Sequence, residues 1–147
     1  MREILFRGKC NEVGKYNGQW IEGFYGEDDG KPIIARSTDH GLIGYFCEPD
    51  SIGQYTGLTD KNGRKIFEGD ILKVKQHGEM GLRTCAIYFG EYIDADSVFG
   101  DYRCIGFYLK VVDECCSIGG LLDSDFEFEI IGNIYDNPEL VGGESDG

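Results

Sequence analysis

The chain has 147 residues, of which 41% are hydrophobic and 13% aromatic, a composition that can bury a core and excludes a disordered chain. Its 27 acidic and 14 basic residues give a formal net charge of -13, which repels phosphate backbones and argues against direct nucleic-acid binding. Residues 1–7 (MREILFR) lack the apolar run of a signal peptide, and no segment reaches the roughly 18 apolar residues of a membrane helix. We therefore expect a cytoplasmic protein without a membrane segment.

Short strands joined by tight turns are predicted along the whole chain. Glycine occupies 23 positions, which is too frequent for long helices, and no segment has a sustained 3.6-residue apolar period. The predicted fold class is therefore all-β, as an SH3-like small barrel or a strongly bent antiparallel sheet. Alternation of apolar and polar residues predicts strands at residues 3–8, 19–25, 32–36, 42–47, 64–67, 70–76, 82–89, 103–112 and 127–135.

Turn residues separate these strands. Asn17-Gly18 and Asn62-Gly63 predict type I′ turns, because Asn-Gly tolerates the two positive φ angles that this turn requires. Residues 91–101 (EYIDADSVFGD) are predicted to form a polar loop between two strands. Asn137-Pro138 offers an N-cap followed by proline at the first helical position, which predicts one short C-terminal helical turn.

One domain is predicted for residues 1–141, because no proline-rich linker or change of composition marks a boundary. Residues 142–147 (GGESDG) have nothing to bury and are predicted to form a mobile acidic tail. The six cysteines are scattered through apolar or strand-like surroundings, and we interpret them as reduced, buried, small hydrophobic residues. These are Cys10, Cys47, Cys85, Cys104, Cys115 and Cys116.

The acidic residues do not match a metal-binding loop or an acid-base pair. Asp94, Asp96 and Asp101 do not fit a calcium loop, because Phe99 stands where that loop needs glycine. Carboxylates also recur with a period of two near residues 123–129, alternating with apolar residues, which predicts an amphipathic strand. We retain an acidic surface that could bind a basic protein, formed by Asp94, Asp96, Asp123, Asp125, Glu127 and Glu129.

No catalytic constellation passes its spacing requirement. The two histidines, His40 and His77, lie in predicted turns without a nucleophile motif, and Cys115-Cys116 lacks the spacing of a zinc or redox site. No phosphate-binding glycine loop is present. We therefore predict a protein that is not an enzyme, with no catalytic residue, no metal and no cofactor.

Residues 56–71 (TGLTDKNGRKIFEGDI) are dense in turn residues and charges. Residues 60–63 are predicted to form one turn and residues 68–70 a second bend, across which the Asp70 carboxylate accepts backbone N–H bonds. This interpretation is architectural rather than catalytic. The residues assigned a structural role, here and near the C-terminus, are Gly57, Asp60, Asn62, Gly63, Phe67, Gly69, Asp70, Gly132 and Asn133.

Residues 54–63 (QYTGLTDKNG) and 66–71 (IFEGDI) resemble the signature of the YopX family of phage and prophage proteins. Residues 4–9 (ILFRGK), 17–20 (NGQW) and 130–140 (IIGNIYDNPEL) agree with this resemblance, which spans almost the whole chain except residues 76–124. The resemblance implies a small phage-encoded protein acting inside a bacterial cell, self-associating, with no assigned activity and no catalytic residues to transfer.

The sequence is compatible with three functions. The first is a non-enzymatic phage accessory protein that forms a homo-oligomer through exposed strand edges or an apolar patch. The second is an acidic module that sequesters a basic host or phage protein, in the manner of a nucleic-acid mimic. The third is a metal-dependent hydrolase, which is disfavoured because no carboxylate cluster has the required spacing.

Overall fold

The computed structural model describes residues 4–76, 82–94, 102–112, 117–118 and 126–142. These residues form antiparallel strands and two short 3₁₀ turns, Pro49–Ser51 and Pro138–Val141, so the predicted all-β class and C-terminal helical turn are confirmed. The strands are β1 (Phe6–Lys9), β2 (Trp20–Asp28), β3 (Lys31–Thr38), β4 (Gly41–Phe46), β5 (Gly53–Thr59), β6 (Lys65–Phe67), β7 (Asp70–Gln76), β8 (Leu82–Asp94), β9 (Tyr102–Val111), β10 (Ser117–Ile118) and β11 (Phe126–Asn133).

The chain divides into two compact units, Met1–Gly57 and Leu58–Gly147. In the first unit the strand order is β4-β3-β2-β1-β5, and all strand pairs with a described register are antiparallel. The N-terminal half of β2 pairs with β1 and its C-terminal half pairs with β3. The core of this unit consists of Cys10, Ile21, Ile34, Tyr45 and Cys47.

The second unit contains a sheet with the order β10-β9-β8-β7-β11. On β7 the predicted alternation is confirmed, since Leu72 and Val74 are buried while Lys75 is exposed. Burial of each such aliphatic side chain contributes roughly 1.5–3 kcal/mol. The core of this unit consists of Ile66, Leu72, Val74, Cys85, Ile87, Leu109, Val111 and Phe128.

Two strand predictions were wrong. Strand β5 (Gly53–Thr59) was not predicted, because the segment is rich in glycine and turn residues. Its residues Tyr55 and Thr56 are nevertheless buried, as in a strand. The loop predicted for residues 91–101 is partly strand, because β8 continues to Asp94 and pairs with the beginning of β9. Glu91 and Arg103 form an ion pair of 2.7 Å across these strands. Cross-strand pairing therefore extends a segment that looks like a polar loop in isolation.

Asn17-Gly18 and Asn62-Gly63 lie in turns as predicted, but the predicted type I′ geometry was wrong. Gly18 and Gly63 have φ of +80°, but neither asparagine has a positive φ, and a type I′ turn requires both. Asp29-Gly30 instead has this property, with φ values of +52° and +74°, and connects β2 directly to β3. Asp-Gly between two alternating segments was the available signal for this hairpin.

The predicted single domain and the predicted tail stay predictions, and residues 143–147 lie outside the described part of the chain. The predicted burial of the cysteines is confirmed for Cys10, Cys47 and Cys85. The side chain of Cys104 and the whole of Cys115 and Cys116 lie outside the description.

Candidate functional site

The signature segment folds around the buried carboxylate of Asp60. Its Oδ1 accepts hydrogen bonds from the backbone N–H groups of Asn62 and Arg64, both at 2.9 Å. Its Oδ2 accepts from the Ile130 N–H at 3.1 Å and from Arg64 Nη2 at 3.3 Å. The four acceptor positions of the carboxylate are thus occupied by protein donors. Asp60 therefore ties the β5–β6 turn to β11 and has no free lone pair for a substrate or metal.

The pKa of Asp60 is set by two opposing effects. Burial alone raises it, but the N–H groups of Ile130, Arg64 and Asn62, together with the charge of Arg64, outweigh burial and lower the pKa below the ordinary value. A general acid or base working near neutral pH needs the opposite shift. The carboxylate is therefore a structural anchor that is ionised at neutral pH.

This anchor makes stability depend on pH in the acid range. Because the pKa of Asp60 is lower in the folded state, its contribution is fully present above the unfolded value of about 3.9 and is lost as the pH falls through the folded value. We expect the stability difference between the wild-type protein and Asp60→Asn to be large at about pH 7 and to shrink markedly by about pH 2.5. Urea unfolding midpoints at both pH values measure this; an unchanged difference would contradict the assignment.

The second bend also has a structural explanation. Asp70 is buried and its Oδ2 accepts the Phe67 N–H at 2.8 Å, so the predicted hydrogen bond across the bend is present. Gly69 has φ of +91°, which side-chain-bearing residues rarely adopt, and its N–H donates to Ile87 O at 2.8 Å. Its carbonyl accepts the Ile134 N–H at 2.8 Å. The bend therefore connects β8 to the end of β11.

The C-terminal motif forms a turn closed by two asparagines. Asn133 Oδ1 accepts the N–H groups of Tyr135 and Asp136, at 3.0 and 2.8 Å. Asn137 flanks the 3₁₀ turn as predicted, but its side chain makes no cap hydrogen bond and instead accepts the Asn133 N–H at 3.2 Å. A Cβ at Gly132 would lie 2.6 Å from Asn137 Oδ1, which explains why glycine stands there.

Gly57, another signature residue, lies within β5 and has φ of +91°. The signature residues therefore shape the backbone. Within the part of the chain described here, no group of three or more acidic, histidine or cysteine residues is placed to hold a metal.

The predicted acidic surface is described only in part. Asp94 ends β8, but its side chain and the residues Asp96, Asp123 and Asp125 lie outside the description. Glu127 and Glu129 lie opposite Lys75 and Lys73 in the β7–β11 register. Glu129 also forms an ion pair of 3.1 Å with Lys61, and this hydrogen bond and charge raise the pKa of Lys61. These two glutamates thus lie among lysines, which weakens the local negative potential.

The first unit has a sheet with two apolar faces. Ile34 and Tyr45 face the core, whereas residues one position away face outward: Phe24 is 59% exposed, Leu42 is 62% exposed and Ile33 is half-buried. The register places Phe24, Ala35 and Gly44 side by side on this second face. We call the surface formed by Phe24, Ile33 and Leu42 the outer face.

Glycines flatten the outer face. Ile33 lies between Gly26 on β2 and Phe46 on β4 in the register, and a Cβ at Gly44 would lie 2.8 Å from Ile33 Cδ1. The Ile33 side chain therefore extends over the backbone of β4. The surface around Ile33 is therefore apolar, while exposed Ser37 lies beside Leu42 and exposed Glu22 lies near Phe24 on the same face. Exposed apolar patches with a polar rim mark protein contact sites.

The outer face borders the edge strand β4. Its sequence, GLIGYF, contains no charged residue. At the end of β4, the backbone N–H and C=O of Phe46 point away from β3. The N–H donates to Glu12 Oε1, and the C=O accepts from the Asn11 N–H. Because this direction alternates along an antiparallel strand, the backbone groups of Leu42 and Gly44 also point away from β3. The edge is therefore in position to pair with another strand.

Sequence reasoning placed these residues in strands but did not identify the outer face. The available signal was the adjacent apolar pair Leu42-Ile43, whose side chains point to opposite faces of the strand. A strand with a single buried face needs apolar residues on that face only. Exposure of one of the two faces could not be inferred, because it depends on which elements cover the sheet.

The geometry defines a class of protein: an all-β protein whose signature residues build turns and whose exposed apolar surface lies on a sheet edge. The YopX protein family model matches residues 5–142, and the chain belongs to this family, as its motifs indicated. Among solved structures it is similar to protein EF1440 from Enterococcus faecalis, with 23% identity, a TM-score of 0.48, and coverage of 96% of this chain and 99% of that chain. Comparison with curated proteins gave no match. No helix in the described ranges is both long and apolar enough to cross a membrane.

Proposed function

We propose that this protein is a non-enzymatic accessory protein, encoded by a phage or prophage and acting in the bacterial cytoplasm, that assembles with further copies of itself. The contact surface in this proposal is the outer face together with the edge of β4. The single observation that carries it is an uncharged edge strand beside exposed Phe24 and Leu42. Natural proteins usually protect such an edge with lysine, proline or a covering element.

The register of β4 supports a two-fold pairing. In an antiparallel pair centred on Ile43, Leu42 of each copy lies opposite Gly44 of the other, and these are the residues whose backbone groups point outward. Gly44 has no side chain to obstruct Leu42. The arrangement is self-complementary, as a closed symmetric dimer requires.

The fully hydrogen-bonded carboxylate of Asp60 supports the proposal that the protein is not an enzyme. Asp60 is a buried acid of the signature, yet its four acceptor positions are taken by protein donors. A catalytic carboxylate needs an acceptor position free for the proton or metal that it handles. The hydrogen bonding of the signature thus supports a role for this fold as a scaffold that positions the outer face.

Leu42→Lys is expected to weaken self-association at least about tenfold, because it places a charge on the edge and removes an aliphatic contact of roughly 1.5–3 kcal/mol. Light scattering coupled to size exclusion measures the mass across a dilution series. The wild-type oligomer should persist at about 0.05 and about 0.5 M salt, since apolar contacts are not screened.

Ile105→Lys in β9 is the matched control, because Ile105 is 79% exposed and lies in the other unit. It should leave the mass unchanged. A monomeric wild-type protein at micromolar concentration would overturn the proposal. An oligomer dissociated by Ile105→Lys but not by Leu42→Lys would move the contact elsewhere, and dissociation by salt would favour an electrostatic contact.

A further inference from the structure

Cys10 and Cys47 lie directly opposite each other in the first unit, in an isolated antiparallel bridge. The flanking bonds are Asn11 N–H to Phe46 O at 3.0 Å and Glu48 N–H to Lys9 O at 2.9 Å. This pattern makes the cysteines a non-hydrogen-bonded pair, for which the Cα atoms are about 4.5 Å apart. Disulfides accept Cα separations of roughly 4.4–6.8 Å. The backbone therefore already has a spacing that a disulfide can bridge.

We propose that Cys10 and Cys47 are a reversible disulfide site that closes when the protein meets a small disulfide oxidant such as glutathione disulfide. Both side chains are buried in the same apolar cluster, and both thiols are free in this structure. Cys47 Sγ donates a weak hydrogen bond, 3.4 Å long, to Tyr45 O, and the Ile34 backbone also hydrogen-bonds to this sulfur. Hydrogen bonds to sulfur are weak, so rotation of the thiol toward Cys10 gives up little.

The reaction consists of two thiol–disulfide exchanges. The thiolate of one cysteine attacks a sulfur of glutathione disulfide, whose S–S bond breaks and releases one glutathione thiolate. The thiolate of the other cysteine then attacks the protein sulfur of the mixed disulfide and releases the second glutathione. The protein loses two electrons and two protons, and the oxidant becomes two thiols.

Access and ionisation control the rate. Cys47 borders a hollow of about 410 Å³ that Glu12 and Lys31 also line. Burial raises the pKa of the Cys47 thiol to about 11, and the neighbouring Cys10 and Glu12 add to the increase. Since only thiolates attack, closure is slow near neutral pH and accelerates about tenfold per pH unit below that pKa. The site therefore responds to sustained oxidation.

The disulfide would link the two ends of the segment that carries β2, β3 and β4. Cross-linking removes conformational freedom from the unfolded chain, more for a longer loop. Oxidation is therefore expected to raise the melting temperature by about 10 °C. This inference does not depend on self-association.

Tryptic peptide mapping tests the site after incubation of the whole protein in glutathione disulfide and alkylation of the remaining thiols. Cleavage after lysine and arginine releases Cys10 in residues 10–15 and Cys47 in residues 37–61, each with a single cysteine. A linked pair of these peptides, two hydrogens lighter than their sum, is expected, together with the rise in melting temperature.

Cys10→Ala should abolish both effects, whereas Cys85→Ala, at an equally buried cysteine of the other unit, should retain the linked peptides. Recovery of residues 10–15 and 37–61 as separate alkylated peptides would overturn the proposal. So would Cys47 linked to a different cysteine. Mapping of the wild-type protein decides the question even if a variant does not fold.

Discussion

Asp60→Asn is expected to lower the free energy of unfolding by about 3–4 kcal/mol at neutral pH. Asn has nearly the same shape as Asp, but it is neutral and replaces one acceptor oxygen with an NH₂ group. That group would face the Ile130 N–H and the Arg64 guanidinium, so donors would oppose donors. Buried N–H groups without an acceptor cost roughly 1–3 kcal/mol each. Urea unfolding followed by circular dichroism measures the loss.

Two controls separate the backbone hydrogen bonds of Asp60 from the contacts of the Arg64 side chain. Arg64→Ala removes the ion pair and the 2.7 Å bond from Arg64 Nη2 to Ile130 O, and it should cost only about 1 kcal/mol, because Arg64 is more than half exposed and such contacts contribute little. Asp39→Asn changes an exposed aspartate by the same substitution and should have almost no effect. If Arg64→Ala cost as much as Asp60→Asn, the Arg64 side chain rather than the buried N–H groups would make the main contribution.

Gly23→Ala is expected to destabilise the protein by about 3 kcal/mol or to prevent folding of the first unit. A Cβ at Gly23 would overlap the backbone oxygen of Ala35 and lie 2.9 Å from its carbonyl carbon. Neither atom can rotate away, because both belong to the backbone of β3. Thermal unfolding would show the effect as a large decrease in melting temperature.

Gly26→Ala is the matched control on the same strand. A Cβ there would lie 3.5 Å from Ile33 Cγ1, an ordinary van der Waals distance, so the change should be close to neutral. Both substitutions replace glycine by alanine in β2, and they differ mainly in the space that the Cβ enters. Equal destabilisation by the two variants would mean that strand propensity, rather than the close approach to Ala35, determines the effect.

The polar side chains of the signature bind backbone groups, so function should be sought elsewhere on the molecule. Asp60, Asp70 and Asn133 use their side chains on backbone groups of the same unit, so their chemistry serves the fold. Recognition would then fall to surfaces such as the outer face, which the sequence motifs do not include. Variants of the signature should therefore change stability, while variants of Leu42 should change assembly.

Sequence alone determined the fold class, most strands and the bend at Gly69 and Asp70. These features depend on local chemistry: alternation predicts a half-buried strand, and Gly69 with Asp70 predicts a bend, whatever lies nearby. The same local reasoning missed β5, because Gly57 and its polar neighbours are typical of a turn until a partner strand is known.

Only the tertiary structure decided which side of each strand is covered and which distant residues meet. Asp60 and Ile130 are far apart in sequence, and nothing in either segment indicates their hydrogen bond. Phe24 and Leu42 are as apolar as Ile21 and Ile34, yet they are exposed while the latter are buried. Cys10 and Cys47 likewise become a pair only through register. Local sequence fixes the periodicity of a strand, whereas pairing and burial depend on contacts between segments that are distant along the chain.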